Sequence, residues 1–144
     1  MLIGEFIHRI DSKKRLAIPA KFRKEIGKKA IVTKGLDQCL AIYPVMEWEE
    51  VAEALAKLPV GKSENRNFVR DIFSGATDVE IDALGRILIP EYLKNFADLK
   101  DKVVIVGVYK RLEIWNENRW NEYKSAVKKQ TDILAEKLGE LGVY

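Results

Sequence analysis

The apolar positions of this chain alternate in short bursts, switch to helical spacing, and then do both again. "EFIHRI" (residues 5–10) and "TDVEI" (77–81) mix apolar with polar residues in strand fashion. Each leads through a short polar stretch into a brief apolar strand, "RLAIP" (15–19) or "RILIP" (86–90). Pro19 and Pro90 stand where a helix is predicted to begin, because a proline at the first helical position gives up no needed hydrogen bond. In "PAKFRKEIG", Phe22 and Ile26 lie four residues apart and Gly27 is placed to end a short helix. Two strands follow in each copy, "AIVTKG" with "CLAIYP" and "VVIVGV" with "LEIWN".

A longer helix closes each copy. Trp48, Val51, Leu55 and Leu58 line one helical face until Pro59 and Gly61 break the pattern in "LPVGKS". Trp120, Tyr123, Val127, Leu134, Leu138 and Leu141 carry an equivalent stripe to the C-terminus, interrupted only at Gln130 and Thr131. Between the copies, "ENRNFVRDIFSGA" predicts one more short helix ending near Gly75.

The copies align residue by residue. At an offset of 71 positions, Asp11 matches Asp82, Arg15 matches Arg86, Leu16 matches Ile87, Ile18 matches Ile89, and Pro19 matches Pro90. After a one-residue slip, Gly35 matches Gly107, Leu40 matches Leu112, Ile42 matches Ile114, and Trp48 matches Trp120. This is a duplicated unit, read as residues 4–58 and 76–144 with a connecting segment at 59–75. A unit of half the chain is too small to bury a sufficient core alone, so two units are expected to close one β-barrel with flanking helices, an α+β fold that is mainly β.

Chemistry narrows the function. The 144 residues hold one cysteine, Cys39, and one histidine, His8, so neither a disulfide framework nor a Cys/His zinc site can form within a chain. Nucleophile-elbow, P-loop and dinucleotide-binding motifs are missing, and the expectation is a protein without catalysis, cofactor or metal. Cys39 reads as a small core residue, and Trp48, Trp115 and Trp120 as core or subunit interface. The longest apolar runs, such as "VVIVGVY", fall far below the roughly 18 residues of a spanning helix. The N-terminal "MLIGEFIHRI" has no secretory pattern, so a cytoplasmic protein is expected.

Charge separates the copies. Residues 8–34 carry ten Lys and Arg against two acids, whereas residues 80–106 carry four against five. The whole chain has a formal charge of only +3, so a concentrated basic surface, the usual footprint of phosphate binding, is expected on the first unit. Within each unit, an Asp entering a tight turn can accept backbone N–H bonds from groups two or three residues ahead, and the Arg leaving it can fold back onto the carboxylate as a two-pronged fork. Lys13 and Lys14 add positive charge at the tip of the first turn only.

"GEFIHRIDSKKRLAIPAKFR" and "FSGATDVEIDALGRILIPEYL" resemble the paired signatures of the MraZ family, bacterial regulators built from two tandem AbrB-like (SpoVT-AbrB) units. The resemblance covers nearly the whole chain. It implies a pseudo-two-fold swapped-hairpin barrel made by the two halves of one chain, and a homo-oligomer forming a ring. It also implies nucleoid-associated binding to double-stranded DNA at short direct repeats upstream of the division and cell-wall gene cluster that includes the family's own gene. The family motif carries over onto Asp11 and Arg15, and onto Asp82 and Arg86. One departure stands out: the family pattern has Gly before the Arg, which Gly85 keeps and Lys14 does not.

On this reading Arg15 reads a base through its guanidinium, Asp11 orients it, and Lys13, Lys14, Arg9, Lys21 and Arg23 hold phosphates. Asp82 and Arg86 support the second turn, whose acidic surroundings favour a subunit contact. An RNA-binding or protein-binding ring using the same basic hairpin is the alternative.

Overall fold

A computed structural model describes the whole chain, Met1–Tyr144. The first half runs β1 (Leu2–Arg9), β2 (Arg15–Ala17), a 3-10 turn (Ala20–Phe22) continuing as α1 (Arg23–Ile26), β3 (Lys29–Lys34), β4 (Leu40–Pro44) and α2 (Val45–Ala56). After α3 (Ser63–Gly75) the order recurs as β5 (Thr77–Glu80), β6 (Arg86–Leu88), α4 (Glu91–Phe96), β7 (Lys102–Tyr109), β8 (Leu112–Asn116) and α5 (Glu117–Lys128), followed by α6 (Thr131–Glu140). The fold is α+β, dominated by one antiparallel sheet.

The halves are interleaved by their strand pairing. Six strands form a sheet in the order β1-β7-β8-β4-β3-β5, so β1 of the first half lies against the second and β5 of the second half lies against the first. β2 and β6 pair only with each other, as a separate two-stranded ribbon with Leu16 opposite Ile87. Twenty buried apolar residues from both halves make one core, with Phe22, Leu16, Ile18, Ile87, Ile89 and Leu93 among the fully enclosed side chains. Neither half has a core of its own, as expected for units this small.

The expected barrel is not closed by hydrogen bonding. β1 and β5 remain the two edges of an open sheet, and a single bridge, Ile10 to Leu16, links β1 to β2. β2 and β6, three residues each, direct their ladder bonds to each other and contribute Leu16 and Ile87 to the shared core.

Local signals placed most elements. Pro19 and Pro90 precede their helical turns as N-caps, one residue earlier than expected, and Gly27 is the C-cap of α1 at φ 84°. The connecting helix ends at Gly75, where it was expected to, and the C-terminal stripe is divided into α5 and α6. α5 is pinned to β1: the Glu5 carboxylate accepts from Trp120 Nε1 at 2.6 Å and from Lys124 Nζ at 3.1 Å. On α6, Ile133, Leu134 and Leu138 stay exposed. Trp115 is buried and packs against Trp120 and Tyr123, while Trp48 sits between Tyr43 and Phe73. Cys39 is fully enclosed, and burial pushes its thiol up to about 12, which keeps it protonated and inert.

Candidate nucleic-acid interface

The two Asp-to-Arg turns are built alike. Asp11 Oδ1 accepts from the N–H groups of Lys13 and Arg15, both at 2.9 Å, and Oδ2 accepts from Arg15 Nε at 2.7 Å. Asp82 repeats this with Leu84 and Arg86 at 2.9 Å and with Arg86 Nε at 2.8 Å. Backbone bonds from Asp11 N–H to the Arg15 carbonyl and from Lys14 N–H to the Asp11 carbonyl close the first turn, and the same pair closes the second. In both turns the Arg15 or Arg86 backbone N–H is the strongest influence holding the Asp carboxyl below the usual carboxylate range.

One arginine group engages the carboxylate where a two-pronged fork was a possibility. Because Asp11 takes Nε, the Nη1 and Nη2 groups of Arg15 have no hydrogen-bond partner within the chain. These are the two donors that a guanine edge or a phosphate would need.

Lys14 adopts the left-handed conformation that its glycine counterpart adopts, at φ 62° against 79° for Gly85. The two residues also interlock the halves. The Lys14 carbonyl accepts from Ile89 N–H and the Gly85 carbonyl from Ile18 N–H, at 2.9 and 2.8 Å. The turns therefore emerge at opposite ends of the β2–β6 ribbon.

That geometry redistributes the candidate residues. Lys13 and Arg15 sit at the first turn, Lys13 exposed and without an ion pair. Lys14 also sits there, but its ammonium pairs with Glu91 at the start of α4. Arg9, at the end of β1, pairs with Asp101. Lys21 lies over the rings of Phe6 and Phe22, about 5.5 Å from each centroid. Arg23 is not beside the first turn: its Nε donates to the Ile18 carbonyl at 2.9 Å and its side chain covers Gly85 of the second turn. The second turn thus has a basic neighbour from the first half, and the first turn has an acidic neighbour from the second. Glu91 and Asp101 were not singled out in the sequence, yet a signal existed, since Glu91 aligns with Ala20 just as Lys14 aligns with Gly85.

The charge imbalance of the halves is partly cancelled where they meet. Lys29 with Asp78 and Lys34 with Asp71 add two further pairs of a first-half base with a later acid, at 3.2 and 2.9 Å. Lys13, Lys24 and Lys28 are exposed and unpaired. His8, half-buried, donates from Nδ1 to the Ala17 carbonyl at 2.8 Å and so supports β2. No group of three or more His, Cys, Asp or Glu side chains is arranged to hold a metal ion, and no helix is long and apolar enough to cross a membrane.

The family model described as "MraZ protein", and as antitoxin-like, matches residues 1–71 and again 72–138. The chain belongs to the MraZ family. It is 48% identical over 143 residues to a protein of Moorella thermoacetica named "Transcriptional regulator MraZ", covering 99% of this chain and all of that one. A protein of Clostridium tetani with the same name is 48% identical with the same coverage. One from Limosilactobacillus reuteri is 53% identical over 138 residues, 96% of this chain and 97% of the relative. Each of the two stretches matched by the MraZ family contains one Asp-to-Arg turn.

Proposed function

We propose that this chain is a sequence-specific DNA-binding transcriptional regulator, acting as a ring-shaped homo-oligomer in the cytoplasm and on the nucleoid. Its sites are short direct repeats upstream of the division and cell-wall gene cluster that includes its own gene. The names of its relatives support the regulatory role. The observation that carries DNA binding is the first turn, where Asp11 holds Arg15 by Nε and leaves both Nη groups open beside the exposed Lys13. Arg15 reads a base, Lys13 and Lys14 hold phosphates, and Arg9 and Lys21 extend the contact along the backbone, while Arg23, held at the second turn, takes no part in it.

The reciprocal pairing of β1 with β7 and of β5 with β3 supports reading residues 4–58 and 76–144 as two exchanged-hairpin units joined by 59–75. The exposed Ile133, Leu134 and Leu138 of α6 support contact between copies. One such turn offers little surface, and repetition around a ring adds weak contacts on evenly spaced boxes.

Binding of the wild type, Arg15→Ala and Arg86→Ala to the duplex upstream of the protein's own gene, with oligomeric state checked first, tests this. Loss of one base-reading arginine is expected to cost about 1–3 kcal/mol per contact. Arg15→Ala is expected to lose specific binding, and wild-type binding by both variants would overturn the assignment.

A further inference from the structure

Two of the residues that would hold phosphates are already holding carboxylates. Lys14 pairs with Glu91 and Arg9 with Asp101, and both acids come from the opposite half of the chain. Lys14 and Glu91 remain about half exposed, at 45% and 54%, so a phosphate can reach the ammonium once the carboxylate lets go.

The internal repeat shows that the Lys14–Glu91 pair is not needed to build the turn. The equivalent positions are Gly85 and Ala20, which carry no charge. The second turn nevertheless has the same Asp bonds, the same left-handed residue and the same carbonyl link to the other half. Arg9 likewise aligns with Glu80, so its pairing with Asp101 belongs to one end of the ribbon only.

We propose that Glu91 and Asp101 restrain Lys14 and Arg9 against sequence-independent binding, so that any DNA must displace an internal ion pair before it gains either phosphate contact. This rests on the DNA-binding reading above and names the residues that set its electrostatic component. Phosphate contacts supply essentially all non-specific affinity, whereas the Nη groups of Arg15 face no such competition. The acids therefore lower affinity for bulk DNA and shallow its salt dependence without touching the base-reading donors. The effect per pair is modest, about two- to five-fold, because exposed ion pairs are weak. A repeating oligomer multiplies it over its subunits.

The test measures binding by fluorescence anisotropy to the upstream duplex and to a shuffled duplex of equal length, over a range of salt, at matched oligomeric state. Glu91→Gln is expected to tighten binding to shuffled DNA by about two- to five-fold and to steepen the log–log salt slope by up to about one. Asp101→Asn is expected to act in the same direction. Glu53→Gln, an exposed acid of α2 with no ion pair, makes the same charge change elsewhere and is expected to do neither. In a Lys14→Gly background, Glu91→Gln is expected to lose its effect.

A wild type that prefers the upstream duplex while Glu91→Gln matches it on shuffled DNA overturns this inference alone. Equal gains from Glu53→Gln, or a Glu91→Gln gain that persists without Lys14, overturn it as well. A wild type with no preference for the upstream duplex overturns the functional reading and this inference with it.

Discussion

Lys14 and Gly85 occupy equivalent left-handed positions, at φ 62° and 79°, and each passes its carbonyl to the other half of the chain, to Ile89 and Ile18 respectively. The same backbone task is thus done once by a residue suited to it and once by a residue that pays conformational strain. A side chain in this region costs about 1–2 kcal/mol, offset by about 0.5–1 kcal/mol because glycine is freer when unfolded.

Lys14→Gly is therefore expected to be neutral or to stabilise the fold by up to about 1 kcal/mol, read as a melting-temperature rise of at most about 4 °C. The reverse change is costly at Gly85. A Cβ there would lie 2.2 Å from Arg23 Nε, and the backbone strain adds to that displacement. Gly85→Ala is expected to destabilise by about 1–2 kcal/mol. Thermal unfolding at fixed protein concentration checks both, and a more stable Gly85→Ala would refute the account of the turn.

At the middle of the β2–β6 ribbon, Leu16 faces Ile87, and both are buried. Either side chain cut to alanine leaves a cavity between the halves, with an expected loss of about 2–5 kcal/mol. Because the two residues touch the same space, the double variant is expected to lose less than the sum of the single losses. Urea unfolding of the three variants measures this, and strict additivity would count against a shared ribbon core.

Gly107 sits opposite Gly4 where β7 meets β1. A Cβ on Gly107 would come within 2.6 Å of the Ile3 nitrogen and the Leu2 carbonyl carbon, which are main-chain atoms and cannot swing aside. Gly107→Ala is expected to cost about 1–3 kcal/mol, as overpacking does. It should also speed amide exchange along Leu2–Phe6 first. Unchanged protection of β1 would show that the strand has room the structure denies it.

The turn carboxylates make stability depend on acid pH. Asp11 and Asp82 are held below the usual range, chiefly by the backbone N–H of the following arginine, so each favours the folded state above the ordinary carboxylate pKa of about 3.9. That contribution is lost as pH falls through the depressed value. The stability gap between the wild type and Asp11→Asn is thus expected to be full at neutral pH and to shrink below about pH 4. A gap that stays constant from pH 7 to pH 3 would mean the carboxylate charge does not matter to the turn.

Short-range physics made much of this legible without coordinates. The Asp-to-Arg turn is complete within five residues, so most of its hydrogen bonds followed from residue types and spacing. The exceptions are the second N–H donor, four residues ahead instead of three, and the choice of Nε over a two-pronged contact. Gly27 as a helix end, the burial of Phe22 and Ile26, and the recurring order of strands were likewise written in local patterns.

The chain by itself thus determined the repeat, the turn chemistry and the elements, because each depends on neighbours a few residues away. Only the tertiary structure decided which partner each exposed charge meets. The interleaving of β1 with β7 and of β5 with β3 carries Glu91 to Lys14, Asp101 to Arg9 and Arg23 to Gly85, and leaves β1 and β5 as edges of an open sheet. Those contacts join residues far apart along the chain, and their formation is set by the burial of one shared core, for which no local pattern in either half contains the information.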